Sequence, residues 1–220
     1  MMTKRKEFDL GLEQLNELIV EMGNRVEKSI GEAMIALINV DGPEAVRIIV
    51  QDKELNQIEE RISELGATLI ATQQPVAKDL RRILVAFKIA SDLERMGDFS
   101  VDIAKVVVRL EGQTLIKPLI DLPRMTEIVQ LMTRESIQSY VQENVDLAYK
   151  MAKDDDMVDA LYSQIIRELF TIMMENPLTI SQANLLSFVG RYLERFADHA
   201  TNIGESVVYL VTGARPDLNS

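Results

Sequence analysis

The sequence predicts an all-α protein of six long helices, arranged as two tandem three-helix bundles. Three observations lead there. Apolar residues recur at steps of three and four along the chain, the period that gathers them on one face of a helix. Chain breakers are few and far apart, so the runs between them are long. Residues 93–103 and 193–203 agree at five of eleven positions, and each copy keeps Leu-Glu-Arg with an Asp four residues after the Glu. The chain is an internal duplication.

The elements follow from these marks in order. Residues 8–39 form the first helical run, with Met22, Val26, Met34 and Leu37 on its apolar side. Asp41-Gly42-Pro43-Glu44 supplies a cap and a proline at a first helical position. A second stripe then runs through Ile48, Leu55, Ile58, Ile62, Leu65 and Leu69, with Gln51 filling the missing step. Gln73-Gln74-Pro75 breaks it. The third stripe, Ile89, Leu93, Met96, Ile103, Val107 and Leu110, continues through Ser100 and closes at Gly112. Pro118, Asp121 and Pro123 mark a linker, expected to be exposed and cleaved first by proteases, between a bundle at residues 1–115 and another at 116–220. Residues 123–143 carry Ile128, Leu131 and Met132. Pro177, with Thr179 or Ser181 as a cap, precedes a last stripe of Val189, Leu193, Phe196, Ala200, Ile203, Val207 and Leu210, which Gly213 and Pro216 end. The fifth helix is located by the duplication: Asp52 to Ile58 aligns with Asp155 to Leu161 at an offset of 103. Nothing has the two-residue period of a strand.

A chain of 220 residues, 47% hydrophobic and 27% charged, can bury a sizeable core. Its net charge of −11 and the lack of any basic run longer than Lys4-Arg5-Lys6 argue against a nucleic-acid surface. Hard cations and basic protein patches are the expected partners. There is no cysteine, which removes disulfides, thiolate ligands and a Cys nucleophile and fits a reducing compartment. The charged N-terminus lacks the apolar segment of a secretory signal, and no apolar stretch reaches the roughly 18–20 residues of a membrane span. The expectation is a cytoplasmic protein.

The acidic residues carry the chemistry. Glu94 and Asp98, like Glu194 and Asp198, stand one helical turn apart, where like charges repel by a few tenths of a kcal/mol. The wheel places them away from the Leu93/Met96 stripe, on what is normally a solvated face. The hairpin register changes the weighing. Asp52 lies about as far before the Gln74-Pro75 turn as Asp98 lies after it. The same count around Pro177 sets Asp155 opposite Asp198 and Asp159 opposite Glu194. Each groove would then concentrate negative charge, with Gly97 and Ala197 leaving room, and a bound cation is the natural occupant. Carboxylate oxygens favour Mg²⁺, Ca²⁺, Mn²⁺ or Fe³⁺ over copper. A di-iron oxidase is excluded, because it needs two Glu-x-x-His motifs and the chain has one histidine, His199, preceded at three positions by Phe196. His199, without a nucleophile to serve, reads as a hydrogen-bonding group. In Pro75-Val76-Ala77-Lys78-Asp79-Leu80-Arg81-Arg82, Asp79 complements a helix dipole; the arginines are surface charges or an edge for an acidic partner.

The two motifs, continued to Lys105 and Glu205, resemble the paired signatures of the PhoU family of bacterial phosphate-signalling regulators. So does the run from Gln74 to Arg81, and most specifically the run from Ala197 to Glu205 followed by Val207 to Gly213. The resemblance covers nearly the whole chain. It implies two three-helix bundles side by side, surface metal clusters, and no established catalytic turnover. It further implies a cytoplasmic negative regulator of phosphate uptake, acting between the ATPase of the phosphate ABC transporter and a sensor histidine kinase, peripheral to the membrane and homodimeric. Carried over by position, the metal-associated residues are Asp52, Glu94 and Asp98 in the first copy and Asp155, Asp159, Glu194 and Asp198 in the second, for iron, manganese, magnesium or zinc. The first copy departs from the pattern: Phe99 stands where the family commonly has His, Asp102 where it has Asn, Lys105 where it has Glu, and Asn56 matches Asp159. The other readings of the same carboxylates are a metal-storage protein, a metal-dependent hydrolase, or a helical scaffold without metal.

Overall fold

The computed structural model describes residues 2–218, and some of its six long helices begin or end where local chemistry selects. Thr179, at the N-cap of the last helix, forms no capping hydrogen bond through its side chain, contrary to the expected cap. The helices are α1 (Met2–Asn39), α2 (Gly42–Gln73), α3 (Lys78–Leu110), α4 (Asp121–Gln142), α5 (Val145–Glu175) and α6 (Ile180–Thr212), with one 3₁₀ turn at Pro177–Thr179. No strand occurs among the described residues. Asp41 Oδ1 accepts from the Glu44 amide at 3.0 Å and Pro43 sits in the first turn of α2. Asn144 caps α5 the same way through the Leu147 amide at 3.1 Å, a start that carries no proline and was not legible in the sequence. Gly213, at φ 80°, closes α6 in the left-handed region that glycine adopts freely.

Within each repeat the three helices pack on one another, and across the repeats α1 packs on α4 and α3 on α6. Helices α2 and α5 therefore lie outermost, each covering one side of its own repeat. Buried side chains from all six helices join in one main core, from Leu15, Ile19 and Met22 through Leu93, Met96 and Ile103 to Leu193 and Phe196, with Ala148, Met151 and Val208 in a small separate cluster. The two bundles share their interior, which hydrophobic burial favours over two small separate cores. The predicted stripes of α2, α3 and α6 face this core, except that Gln51 is exposed and Leu65 half-buried. In α4 the buried face runs instead through Met125, Val129, Met132 and Ile137; Leu131 is 39% exposed, so its place in the expected stripe is corrected.

The segment joining the repeats also differs from expectation. Residues 111–114 are exposed, but Leu115, Ile116 and Leu119 pack against the core. Gln182 on α6 clamps them: its Oε1 accepts from the Ile116 amide at 2.5 Å, and its Nε2 donates to the Thr114 carbonyl at 3.1 Å. Lys117 forms an ion pair with Glu168 on α5. A linker tied at two backbone groups and with half-buried side chains is a strap rather than a free hinge.

The α3/α6 seam shows the duplication directly. Phe99 stacks against Tyr192 with centroids 6.2 Å apart and tilts against His199 at 5.8 Å. Asp92 Oδ1 lies 2.9 Å from His199 Nδ1. Positions 92 and 192, and 99 and 199, are repeat partners, so α3 and α6 meet antiparallel about a pseudo-two-fold axis near Arg95 and Arg195.

Candidate metal centre

Two acidic grooves lie where the outer helix of each repeat meets the helix of the seam. In the first, Asp52 on α2 faces Glu94 and Asp98 on α3. Burial pushes the Asp52 carboxyl up, Asp98 pushes it further, and Lys105 opposes. Glu94 is raised by burial and then by Asp98, with Glu59 and Asp52 adding and Arg95 opposing. Glu59, one turn beyond the exposed Asn56, is a member that the repeat alignment could not supply, because its counterpart is Tyr162. The room expected beside Gly97 is filled: a Cβ there would collide with a δ-methyl of Leu55, while Asp52 Oδ1 would lie 3.5 Å away.

The second groove is more acidic and deeper. Asp155 on α5 is only 9% exposed and forms no hydrogen bond or ion pair among the described residues. Its carboxyl is pushed up to about 7 by burial, and then by Asp198, Asp159, Glu194 and Asp156. Glu194 is raised by burial, by Asp198 and by Asp159, against the pull of Arg191 and Arg195. Arg191 pairs with Glu194 Oε1, leaving Oε2 buried without a hydrogen-bond partner. Asp198 is raised by burial and then by Asp159, which stands exposed at the rim. The hairpin register read from the sequence therefore brings each predicted set of acids to one groove.

These carboxylates are neighbours rather than a closed cage, since no group of three or more His, Cys, Asp or Glu among the described residues stands ready to hold a metal ion. Their chemistry nevertheless fits a hard cation. A buried carboxylate oxygen without a donor costs about 1–3 kcal/mol, and an oxygen-seeking cation is the species that satisfies several at once. Neither groove offers a nucleophile beside a base. His199 is held in the seam by Asp92, which is 8% exposed and whose Oδ2 is itself buried without a partner.

The turn from Lys78 to Arg82, read as a possible edge for an acidic partner, is engaged within the molecule. Arg5 pairs with Asp79 at 2.6 Å, Lys78 and Arg82 with Glu143 at 3.0 and 2.8 Å. Arg81 lies over the Tyr209 ring at 5.1 Å and donates to the Tyr209 carbonyl near the end of α6, at 3.3 Å.

Comparison with known proteins matches this arrangement on three counts. A family model described as the PhoU domain matches residues 19–107 and again 122–207, one match per repeat. A Clostridium acetobutylicum protein named phosphate-specific transport system accessory protein PhoU homolog is 42% identical over 216 residues, covering 98% of this chain and 99% of its own. An Aquifex aeolicus protein of the same name is 40% identical over 202 residues, 92% of this chain and 91% of its own. The crystal structure of PhoU from Pseudomonas aeruginosa superposes with a TM-score of 0.89 at 36% identity, over 94% of this chain and 100% of that one. That of the phosphate transport system regulatory protein PhoU from Streptococcus pneumoniae gives 0.89 at 31% identity, over 96% and 99%. With the same domain matched in tandem and the same fold from end to end, the chain belongs to the PhoU family.

Proposed function

We propose that this protein is a cytoplasmic negative regulator of phosphate uptake and of the phosphate-starvation response. It acts as an adaptor between the ATPase of a phosphate ABC transporter and a sensor histidine kinase. The observation that carries the reading is the end-to-end match to relatives named as accessory proteins of phosphate-specific transport. No described helix is long and apolar enough to cross a membrane, in keeping with peripheral attachment to membrane complexes. The protein works without catalytic turnover, as a homodimer whose partners read its surface.

In this reading Asp155, Asp159, Glu194 and Asp198 hold one carboxylate-bound metal centre, and Asp52, Glu94 and Asp98 hold a weaker one. Iron, manganese, magnesium and zinc are the candidates. A bound cation supplies the positive charge that relieves repulsion in the groove. Asp155 and Asp159 from α5, with Glu194 and Asp198 from α6, contribute oxygens from both sides, so occupancy ties an outer helix to the seam.

Deleting the protein is the test. A phosphate-starvation reporter should stay active in phosphate-rich medium and be silenced again by the wild-type chain. A reporter that remains silent after deletion contradicts the regulatory role.

A further inference from the structure

The groove between α5 and α6 changes character along its length. Past Asp159 and Glu194, towards the Pro177 turn, it becomes an apolar groove of about 680 Å³ lined on one side by Tyr162, Ile166, Phe170 and Met173 of α5. Helix α6 lies between α5 and the end of α3, whose Arg109 and Gln113 line the other side. Phe170 is 59% exposed, and beyond it Met174 and Leu178 are 76% and 93% exposed, so the apolar surface continues over the rim.

The first repeat shows that the fold does not require this surface. At the positions matching Tyr162, Ile166, Phe170 and Met174, α2 carries Glu59, Ser63, Ala67 and Ala71. There Phe87 of α3 lies against Gly66 of α2, so close that a Cβ on Gly66 would collide with the ring. In the second repeat the same two positions are Ser187 and Leu169. The bulk has moved into the core, where Leu169 is buried, and Ser187 lines an open groove. Exposed apolar side chains gathered where the duplicate has small or polar ones mark an interaction surface.

Two features decide what fits it. The walls are helices whose backbone groups are paired internally, so they offer no edge to an added strand; an extended segment would bury its amides unpaired, whereas a helix arrives with them satisfied. Tyr162, Ile166 and Phe170 recur one turn apart, matching side chains at i and i+4 of an incoming helix, and the run to Met173 extends about 16 Å. Arg109 is the only charged residue lining the groove. Asp102, which acts with it on Tyr192, is bonded to Lys105 instead, and Arg109 enters no ion pair among the described residues. A carboxylate on the incoming helix is its complement.

We propose that this groove docks an amphipathic helix of a partner protein, with apolar side chains one turn apart and a carboxylate set against Arg109. The inference goes beyond the regulatory reading, which assigns no face to a partner, and it does not depend on a bound cation.

The test is fluorescence anisotropy of the full chain with two labelled synthetic helices of about 16 residues. They share a leucine face and differ in carrying glutamate or glutamine on its flank. The wild type should bind the glutamate peptide about fivefold more tightly. Arg109→Gln should erase that preference, and Phe170→Ser should weaken both peptides at least about tenfold. Ala67→Ser, at the position matching Phe170 in the first repeat, should change neither. Phe170 and Arg109 are exposed, so their variants should keep the helical circular dichroism of the wild type. No binding by the wild type, a preference that survives Arg109→Gln, or binding unmoved by Phe170→Ser overturns the inference. So does a dimer of the chain alone that Phe170→Ser dissolves in sedimentation, which gives the face to a second copy. Flotation with phosphatidylcholine vesicles that the same variant abolishes gives it to lipid and overturns the inference equally.

Discussion

Leu55 fills the space that Gly97 leaves open on α3, directly beneath Asp52. In the second repeat the matching residues are Val158 and Ala197, both fully buried, so one methyl moves from the outer helix to the seam helix with little change in total volume. Gly97→Ala should therefore destabilise the protein by about 1–2 kcal/mol through overpacking, and Leu55→Val in the same chain should recover most of it. Denaturant midpoints of the single and double variants check this. Independent, additive effects would show that the two positions do not compensate.

Asp92 and His199 should behave as a buried pair. Asp92→Ala strips His199 Nδ1 of its partner in the seam and should cost about 1–3 kcal/mol, with Asp92→Asn losing less because an amide oxygen can still accept. Thermal unfolding of the two variants gives the comparison. Equal losses would mean that the hydrogen bond contributes little.

The strap between the repeats should resist proteases as long as Gln182 holds it. Gln182→Ala should speed cleavage within residues 113–117 several-fold while leaving the helical circular dichroism unchanged, because the cut needs local opening alone. Limited proteolysis with mapping of the first cut is the measurement.

Fold and site were unequally legible. The α2, α3 and α6 stripes, the Asp41 cap, the Pro75 and Pro177 turns and the opposition of Asp155 to Asp198 follow from period and register, which are local and countable. The linker's burial was hidden because Gln182 lies more than sixty residues from the strands of backbone it clamps, and a Pro-containing segment reads as exposed whatever packs against it. Leu131 was misplaced because Ile128, Leu131 and Met132 fit two adjacent helical faces equally well until α1 selects one. The approach of Glu59 to Glu94 depends on side-chain direction across helices, which spacing does not encode.

Stability without metal should depend on pH. Asp155 rises from its ordinary 3.8 to about 7, so the folded chain holds a proton that the unfolded chain has lost. Its stabilising share is fully present below about pH 4, declines as pH rises through 7, and is constant above. The shift bounds the effect at about 4 kcal/mol, and water in the open groove reduces it to about 1–2 kcal/mol. With chelator present, the melting temperature should fall from pH 5 to pH 8. Asp155→Asn should flatten the decline and be the more stable chain at pH 8; an equal slope in both proteins would place the repulsion elsewhere.

The central claim is that the α5/α6 groove is a cation site, and its most direct test is calorimetry of the metal-free protein at pH 7.5 with and without Mn²⁺. An ion at about a hundred times its dissociation constant adds about 2.7 kcal/mol to a folded state that alone binds it. The wild type should gain several degrees in melting temperature, while Asp155→Asn combined with Asp198→Asn should melt higher than the wild type without metal and gain almost nothing on its addition. An unchanged wild-type midpoint, or the same gain in the double variant, would contradict the account.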